Sequence, residues 1–399
     1  MNKYIFMLVC MMFLCSCSEE KHAPVTDDSS IPGQVTNVRV DPLPGAVKLT
    51  YDLPAGQNLL YVKAECLING VMRQVKATPY VNNLTIEGFA DTQTYTVNLY
   101  SVNRSEKVSE PVEKQVKPLS PNFREVFKNI QLQEDWGGVS VLFENPNEAD
   151  LAIIMNYVDN DGFWDHGETF YTQSLTGKVT LRGLPPKEIK IGVCVRDRWG
   201  NLSDTLIRDL TPRFEKELDR SKFRGMYLPG DASIVAGWGF ELWWDLNVLG
   251  DQGLATVNDG TWPPTVTFDM GTPQGALISR MKLWQRVHSV YEQQAYGDRY
   301  IRKFEVWGSM NPDLDGSWDS WTLLLDGEMI KPSGLPVGTN SAEDIEAFYN
   351  GNDVSDFPLD IPYVRYIRFK CKELWGGMRT QFISSAMCLW GQEPSDIED

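Results

Sequence analysis

Hydrolysis by a Ser-His-Asp or Cys-His device needs an imidazole, and the chain offers three: His22, His166 and His288. His22 lies in a polar stretch near the N-terminus, and neither of the others stands near a nucleophile elbow such as GxSxG. Paired carboxylates hydrolyse glycosides when held roughly 5 to 10 Å apart, but with 54 Asp and Glu in the chain spacing alone singles out no pair. For calcium, Asp159-Asn160-Asp161-Gly162 with Asp165 and Glu168 matches much of an EF-type loop. Tyr157 takes the first ligand position, however, and no flanking helices are readable. A hairpin turn built on Asn-Asp-Gly is the simpler reading. Asn311-Pro312-Asp313-Leu314-Asp315-Gly316 also spaces three oxygen ligands, yet Thr322 stands where the closing Glu would be, which favours a loop. Sugar recognition asks for a flat aromatic ring against the apolar side of a pyranose and planar polar groups for its hydroxyls. Loop segments supply both: Trp262 in Thr261-Trp262-Pro263-Pro264, His288 and Tyr291 after Leu283-Trp284-Gln285-Arg286, and Trp375 and Arg379 in the Gly-rich turn Leu374-Trp375-Gly376-Gly377-Met378-Arg379.

The elements that would hold these loops read as β-strands. Between 31 and 118, short runs such as Ala46-Val47-Lys48-Leu49-Thr50-Tyr51 and Thr94-Tyr95-Thr96-Val97-Asn98-Leu99-Tyr100 alternate with period two between Pro and Gly turns. Residues 119–212 repeat the plan with Val139-Ser140-Val141-Leu142-Phe143 and Ile189-Lys190-Ile191-Gly192-Val193. After Phe214 the texture changes. A short polar stretch, Phe214 to Phe223, is open to a helix, and Trp-rich strands with long loops follow, taking most of the 13 Trp. For Trp284 and Trp307, inside strands, core packing is the better reading. The net charge of −17 argues against nucleic acid and against anionic lipid surfaces as partners.

The N-terminus reads as a targeting segment. Lys3 precedes an apolar run, Tyr4 to Leu14, long enough for a signal peptide and too short for a membrane span. The run ends in Leu14-Cys15-Ser16-Cys17, the lipobox pattern, so residues 1–16 leave and Cys17 takes the lipid. Ser18-Glu19-Glu20 resembles the export signal of Bacteroidetes lipoproteins that reach the outer face of the outer membrane, and residues 17–30 form a flexible stalk. Of the seven Cys, four then remain: Cys66, Cys194, Cys371 and Cys388. Cys371 and Cys388 sit in β-like runs and could pair in an oxidising compartment or stand as isolated buried thiols.

The first segment resembles a fibronectin type III module, with Pro32-Gly33-Gln34-Val35 at its entry and Tyr95 at the corner position. Residues 213–392 resemble a discoidin-like (coagulation factor 5/8 type C, galactose-binding-like) domain. The matching elements are the Trp284-Gln285-Arg286 strand, Phe304-Glu305-Val306-Trp307-Gly308-Ser309, Gly316-Ser317-Trp318 with Trp321, and the closing Leu389-Trp390-Gly391; 393–399 form a tail. The whole is similar to Bacteroidetes lipoproteins found beside polysaccharide-uptake systems. The resemblance implies an all-β chain: two immunoglobulin/fibronectin-like sandwiches followed by a discoidin-like jelly roll. It implies that Arg286 hydrogen-bonds a sugar, and that Asp245 and Asn247 resemble a loop that can hold a structural Ca²⁺, although the closing strand lacks the Glu such a site uses. No cofactor is required. The expectation is a non-catalytic, outward-facing lipoprotein of the outer membrane that binds a polysaccharide and works beside outer-membrane glycan-transport proteins. The alternative is a structural or protein-binding subunit or adhesin, and a glycan-processing hydrolase is a third reading.

Overall fold

The computed structural model describes residues 29–56, 58–354 and 357–397. The signal segment, Cys17 and most of the stalk lie outside them. Alternation sets the first sandwich: in β2 (Ala46–Asp52) Val47, Leu49 and Tyr51 point inward while Lys48 and Thr50 do not. With β1 (Thr36–Leu43) and β5 (Asn83–Glu87) this strand makes one sheet, order β1-β2-β5. β3 (Leu59–Ile68), β4 (Val71–Ala77), β6 (Tyr95–Asn103) and β7 (Val112–Val116) make the other, order β4-β3-β6-β7. The three-plus-four arrangement is that of a fibronectin-type sandwich. β3 turns into β4 through Asn69-Gly70, both at positive φ, the pair a tight hairpin asks for. Tyr95 holds the corner, its hydroxyl donating to Asp91 Oδ1 at 2.8 Å.

The second sandwich repeats the order after a short helix, α1 (Asn122–Lys128), that plugs its end with Phe123 and Val126. β8 (Gln131–Asp135), β9 (Gly138–Glu144) and β12 (Thr176–Arg182) form one sheet. β10 (Leu151–Val158), β11 (Trp164–Thr172), β13 (Ile189–Asp197) and β14 (Leu206–Leu210) form the other, order β11-β10-β13-β14. The Asp159–Gly162 segment is the β10–β11 turn: Asp159 Oδ1 accepts from the backbone N–H of Asp161 and of Phe163, each at 2.9 Å. Its carboxylate thus serves the hairpin, as the turn chemistry predicted.

The third unit packs a five-stranded sheet against a four-stranded one. In chain order its elements are β15 (Lys216–Glu217), β16 (Arg224–Met226), α2 (Phe240–Trp243), β17 (Leu254–Ala255), β18 (Thr265–Asp269), β19 (Leu277–Leu283), β20 (Ile301–Ser309) and β21 (Thr322–Glu328), then α3 (Ala342–Asn350), β22 (Asn352–Val354), β23 (Tyr366–Leu374), β24 (Ile383–Ser384) and β25 (Met387–Gln392). The sheet orders are β16-β18-β23-β20-β21 and β15-β25-β19-β22. Phe268, Met281, Phe304, Val306, Phe369 and Leu389 fill the space between them. The stretch 214–223 is not an α-helix: Lys216 and Glu217 pair with Gly391 and Trp390. Asp219 then caps a single 3₁₀ turn, so pairing to the closing strand overrides the polar pattern. Trp307 does not enter the core either. Val306 takes the inward position, so its neighbour faces out, where it meets Trp318 at 5.1 Å and donates to Glu305. Trp284 is buried as expected. Cys371 and Cys388 lie in different sheets and remain free thiols, and burial pushes Cys388 up to about 12.

The three units touch through specific contacts. Trp199, in the β13–β14 turn, lies under Arg73 of the first sandwich at 4.3 Å, while Asn201 accepts from Asn69 at 2.8 Å and Arg198 meets Glu87. At the second junction Glu215, 8% exposed, accepts from Ser279 at 2.6 Å and faces Arg280 at 3.4 Å and Arg182 of the second sandwich at 3.7 Å.

Candidate functional site

One end of the third unit collects the loops that follow β19, precede β20 and follow β23. Leu283 ends β19, Ile301 opens β20 opposite Leu374 of β23, and Met387 opens β25 opposite Leu283, so all these connections emerge on the same side. A second small core lies beneath them, built from Trp284, Val287, Ala295, Tyr296, Tyr300 and Phe348. The segment carrying Arg286 is pinned by its backbone: Trp284 N donates to Ala386 O, Ser385 N to Gln285 O, and Val287 N to Ser385 Oγ at 2.9 Å. The floor is therefore fixed before any loop side chain is placed.

Arg286 is at the centre. Its Nε donates to Asp251 Oδ1 at 2.9 Å, and its guanidinium lies 4.3 Å from the Tyr291 ring centroid and 5.1 Å from that of Trp238. Nη1 and Nη2 make no hydrogen bond among the described residues, and the side chain is 20% exposed. A planar cation held against two rings, with one edge paired and the other free, is pre-organised to donate to adjacent oxygens. His288 joins the group, its ring 5.9 Å from that of Tyr291, and its Nδ1 accepts from Val290 N at 3.3 Å. Beneath, burial raises the Tyr300 phenol well above its ordinary range, against the opposing pull of Arg286.

The backbone at this end is strained. Leu246, Asp251, Tyr296 and Asp298 all have positive φ, at 58°, 62°, 54° and 42°. Leu and Tyr rarely adopt that region, and such outliers gather where a structure holds a functional geometry.

The other expected residues are placed differently. Trp375 is half-buried, with its edge on Tyr296 at 5.3 Å and Arg302 over its face at 4.9 Å. It packs into the floor and its indole N–H has no partner among the described residues. Trp262 is half-buried against the large core. Arg379 is exposed in the turn after β23. Trp238 and Asp251 were missed from sequence, although Gly237-Trp238-Gly239 and Gly250-Asp251-Gln252-Gly253 carry the signal of tight loops that could present a side chain.

The residues suggested for calcium lie on turns that use their carboxylates. Asp245 Oδ1 accepts from Asn247 N at 2.7 Å, and both residues are exposed on a turn of their own. Asp315 Oδ1 accepts from Ser317 N at 2.8 Å, at the far end of the unit beside Pro229. Among the described residues no three His, Cys, Asp or Glu side chains converge to hold a metal ion.

Family models match three stretches: DUF4959 over residues 32–118, DUF5126 over 119–221 and DUF5000 over 244–391, each described as a domain of unknown function. No curated protein matches the chain. Among solved structures it is similar to a segment of two fibronectin type III domains from chicken tenascin, at 13% identity over 45% of this chain and 99% of that one, with a TM-score of 0.22. It is also similar to SusE-like protein BT2857, at 32% identity over 68% of this chain and 99% of that one, with a TM-score of 0.43. On that identity across nearly the whole length of the relative, the chain belongs to the SusE-like proteins.

Proposed function

We propose that this protein is a non-catalytic glycan-binding lipoprotein of the cell surface, tethered through Cys17 and acting within a polysaccharide-utilisation system. In this reading residues 31–118 and 119–212 hold a discoidin-like module, 213–392, away from the membrane. Arg286, Tyr291, His288 and Trp238 at the end of that module grip the sugar. The observation that carries the reading is the guanidinium of Arg286, fixed by Asp251 and two rings with its outer edge unpaired. Membership in the SusE-like proteins supports the surface setting. A shallow site of this kind gives weak single-site affinity, which clustering on a membrane offsets.

The test is affinity electrophoresis of the soluble chain from residue 18 onward, without the lipid-bearing Cys17, through gels containing amylopectin, yeast mannan, levan or arabinoxylan. Retardation by at least one polysaccharide, reduced about tenfold or more in an Arg286→Ala, Tyr291→Ala variant, is the expected result. Equal retardation of the variant would place binding elsewhere. A second reading, contact with a partner protein, is favoured by Leu67 and Met72, which stand paired and exposed on the β3–β4 hairpin.

A further inference from the structure

The outer face of the sheet β11-β10-β13-β14 carries side chains used neither by packing nor by the end-loop site. Trp164 stands opposite Val158, and its ring reaches across β10 to lie on the bare backbone of Gly192 in β13. A Cβ at Gly192 would stand 2.9 and 3.0 Å from Cζ3 and Cη2 of that ring. The residue is nevertheless 50% exposed, so one ring face is set down on the sheet and the other is open. His166 and Asn156, paired across β11 and β10, come next along the strand with Nδ1 and Oδ1 3.2 Å apart. Tyr171 follows, opposite Ala152, 73% exposed, its hydroxyl accepting from Arg196 at 3.4 Å. A depression beside it is lined by Asp150, Ala152, Arg196 and Asp197.

Residues 164 and 171 differ in parity, so a regular strand would put them on opposite faces. They share a face because the register slips between Met155 and Asn156, where His166 and Glu168 are the successive partners and Gly167 is the extra residue. A bulge that re-aims side chains onto one surface is a device found beside functional sites.

We propose that this face is a second glycan-binding surface, taking an extended polysaccharide along β11 with Trp164 and Tyr171 as stacking platforms. The proposal rests on the reading of the protein as a glycan binder. The two residues are set roughly 20 Å apart along the backbone, at about 3.3 Å per residue over the positions from Val158 to Ala152, with hydrogen-bonding groups between them. That alternation suits a chain of pyranoses, each with an apolar face and a polar rim, and interrupts the continuous apolar strip that a protein helix would need.

The same electrophoresis tests it with Trp164→Ala, Tyr171→Ala and Gly192→Ala, each checked for an unchanged melting temperature. Gly192→Ala keeps every aromatic but lifts the Trp164 ring off the sheet, so a loss of binding in that variant reads ring orientation. Retardation roughly tenfold weaker in Trp164→Ala, with residual binding in Arg286→Ala that disappears on adding Trp164→Ala, is the expected result. Full retardation of Trp164→Ala, together with complete loss in Arg286→Ala, overturns this surface and leaves the end-loop site standing. No retardation of the parent chain overturns both. A change in self-association by sedimentation, with retardation unaltered, assigns the face to a protein contact and overturns the proposal.

Discussion

A guanidinium packed against two rings behaves differently from one in water, and Arg286 is the residue where that difference matters most. Its position after the Trp284-Gln285 strand end was legible in the sequence, because the strand pattern before it and the loop after it are local. Trp238 and Asp251 were not, because nothing in their own segments says that 235–239 and 246–253 fold over the end of β19. That arrangement depends on the backbone contact of Gly239 with Gly253 and on non-local strand pairing. Trp307 shows the same limit from the other side: period two was readable, but which parity faces inward was not. Charge pairing also acts at this scale. Burial alone would raise the Asp269 carboxyl, but Arg365 donates to both of its oxygens, at 2.9 and 2.7 Å, and the Gly271 N–H donates as well, so it is held below the ordinary carboxylate range. A carboxylate depressed in this way contributes stability above the unfolded pKa and loses it as pH falls through the folded value. The melting temperature should therefore drop below about pH 4, and Asp269→Asn should lower it at neutral pH while flattening part of the acid fall. A thermal scan against pH with an unchanged acid limb in the variant would contradict this.

Among the elements, the two sandwiches were the most legible part of the chain, since each strand carries its own alternation and each turn its own Gly, Asn or Pro. The corner Tyr95 illustrates how little is needed, with one hydroxyl reaching back four residues to Asp91. Tyr95→Phe keeps the ring against Phe89 and removes only that bond, and should cost about 1 kcal/mol, measured as a shift of the first unit's urea midpoint. The segment 214–223 was misread because its fate is decided by β25, more than 160 residues away, rather than by its own composition.

For the whole molecule, each unit is joined to the next by charged and aromatic side-chain contacts. Glu215 ties the third unit to the second through Arg280, Arg182 and Ser279, and the Trp199 turn clasps the first. Glu215→Ala should cost about 2 kcal/mol, given that both guanidinium groups are partly exposed. It should also split the calorimetric transition and broaden the solution scattering profile, whereas a single unchanged transition would show that the contact does not couple the units. The measurement that tests the central claim most directly is a titration of the retarding polysaccharide into the mature chain and into Arg286→Lys, which keeps the charge and removes the planar fork. The account predicts that affinity falls about tenfold in Arg286→Lys with the fold intact; equal affinity in the two proteins would contradict it.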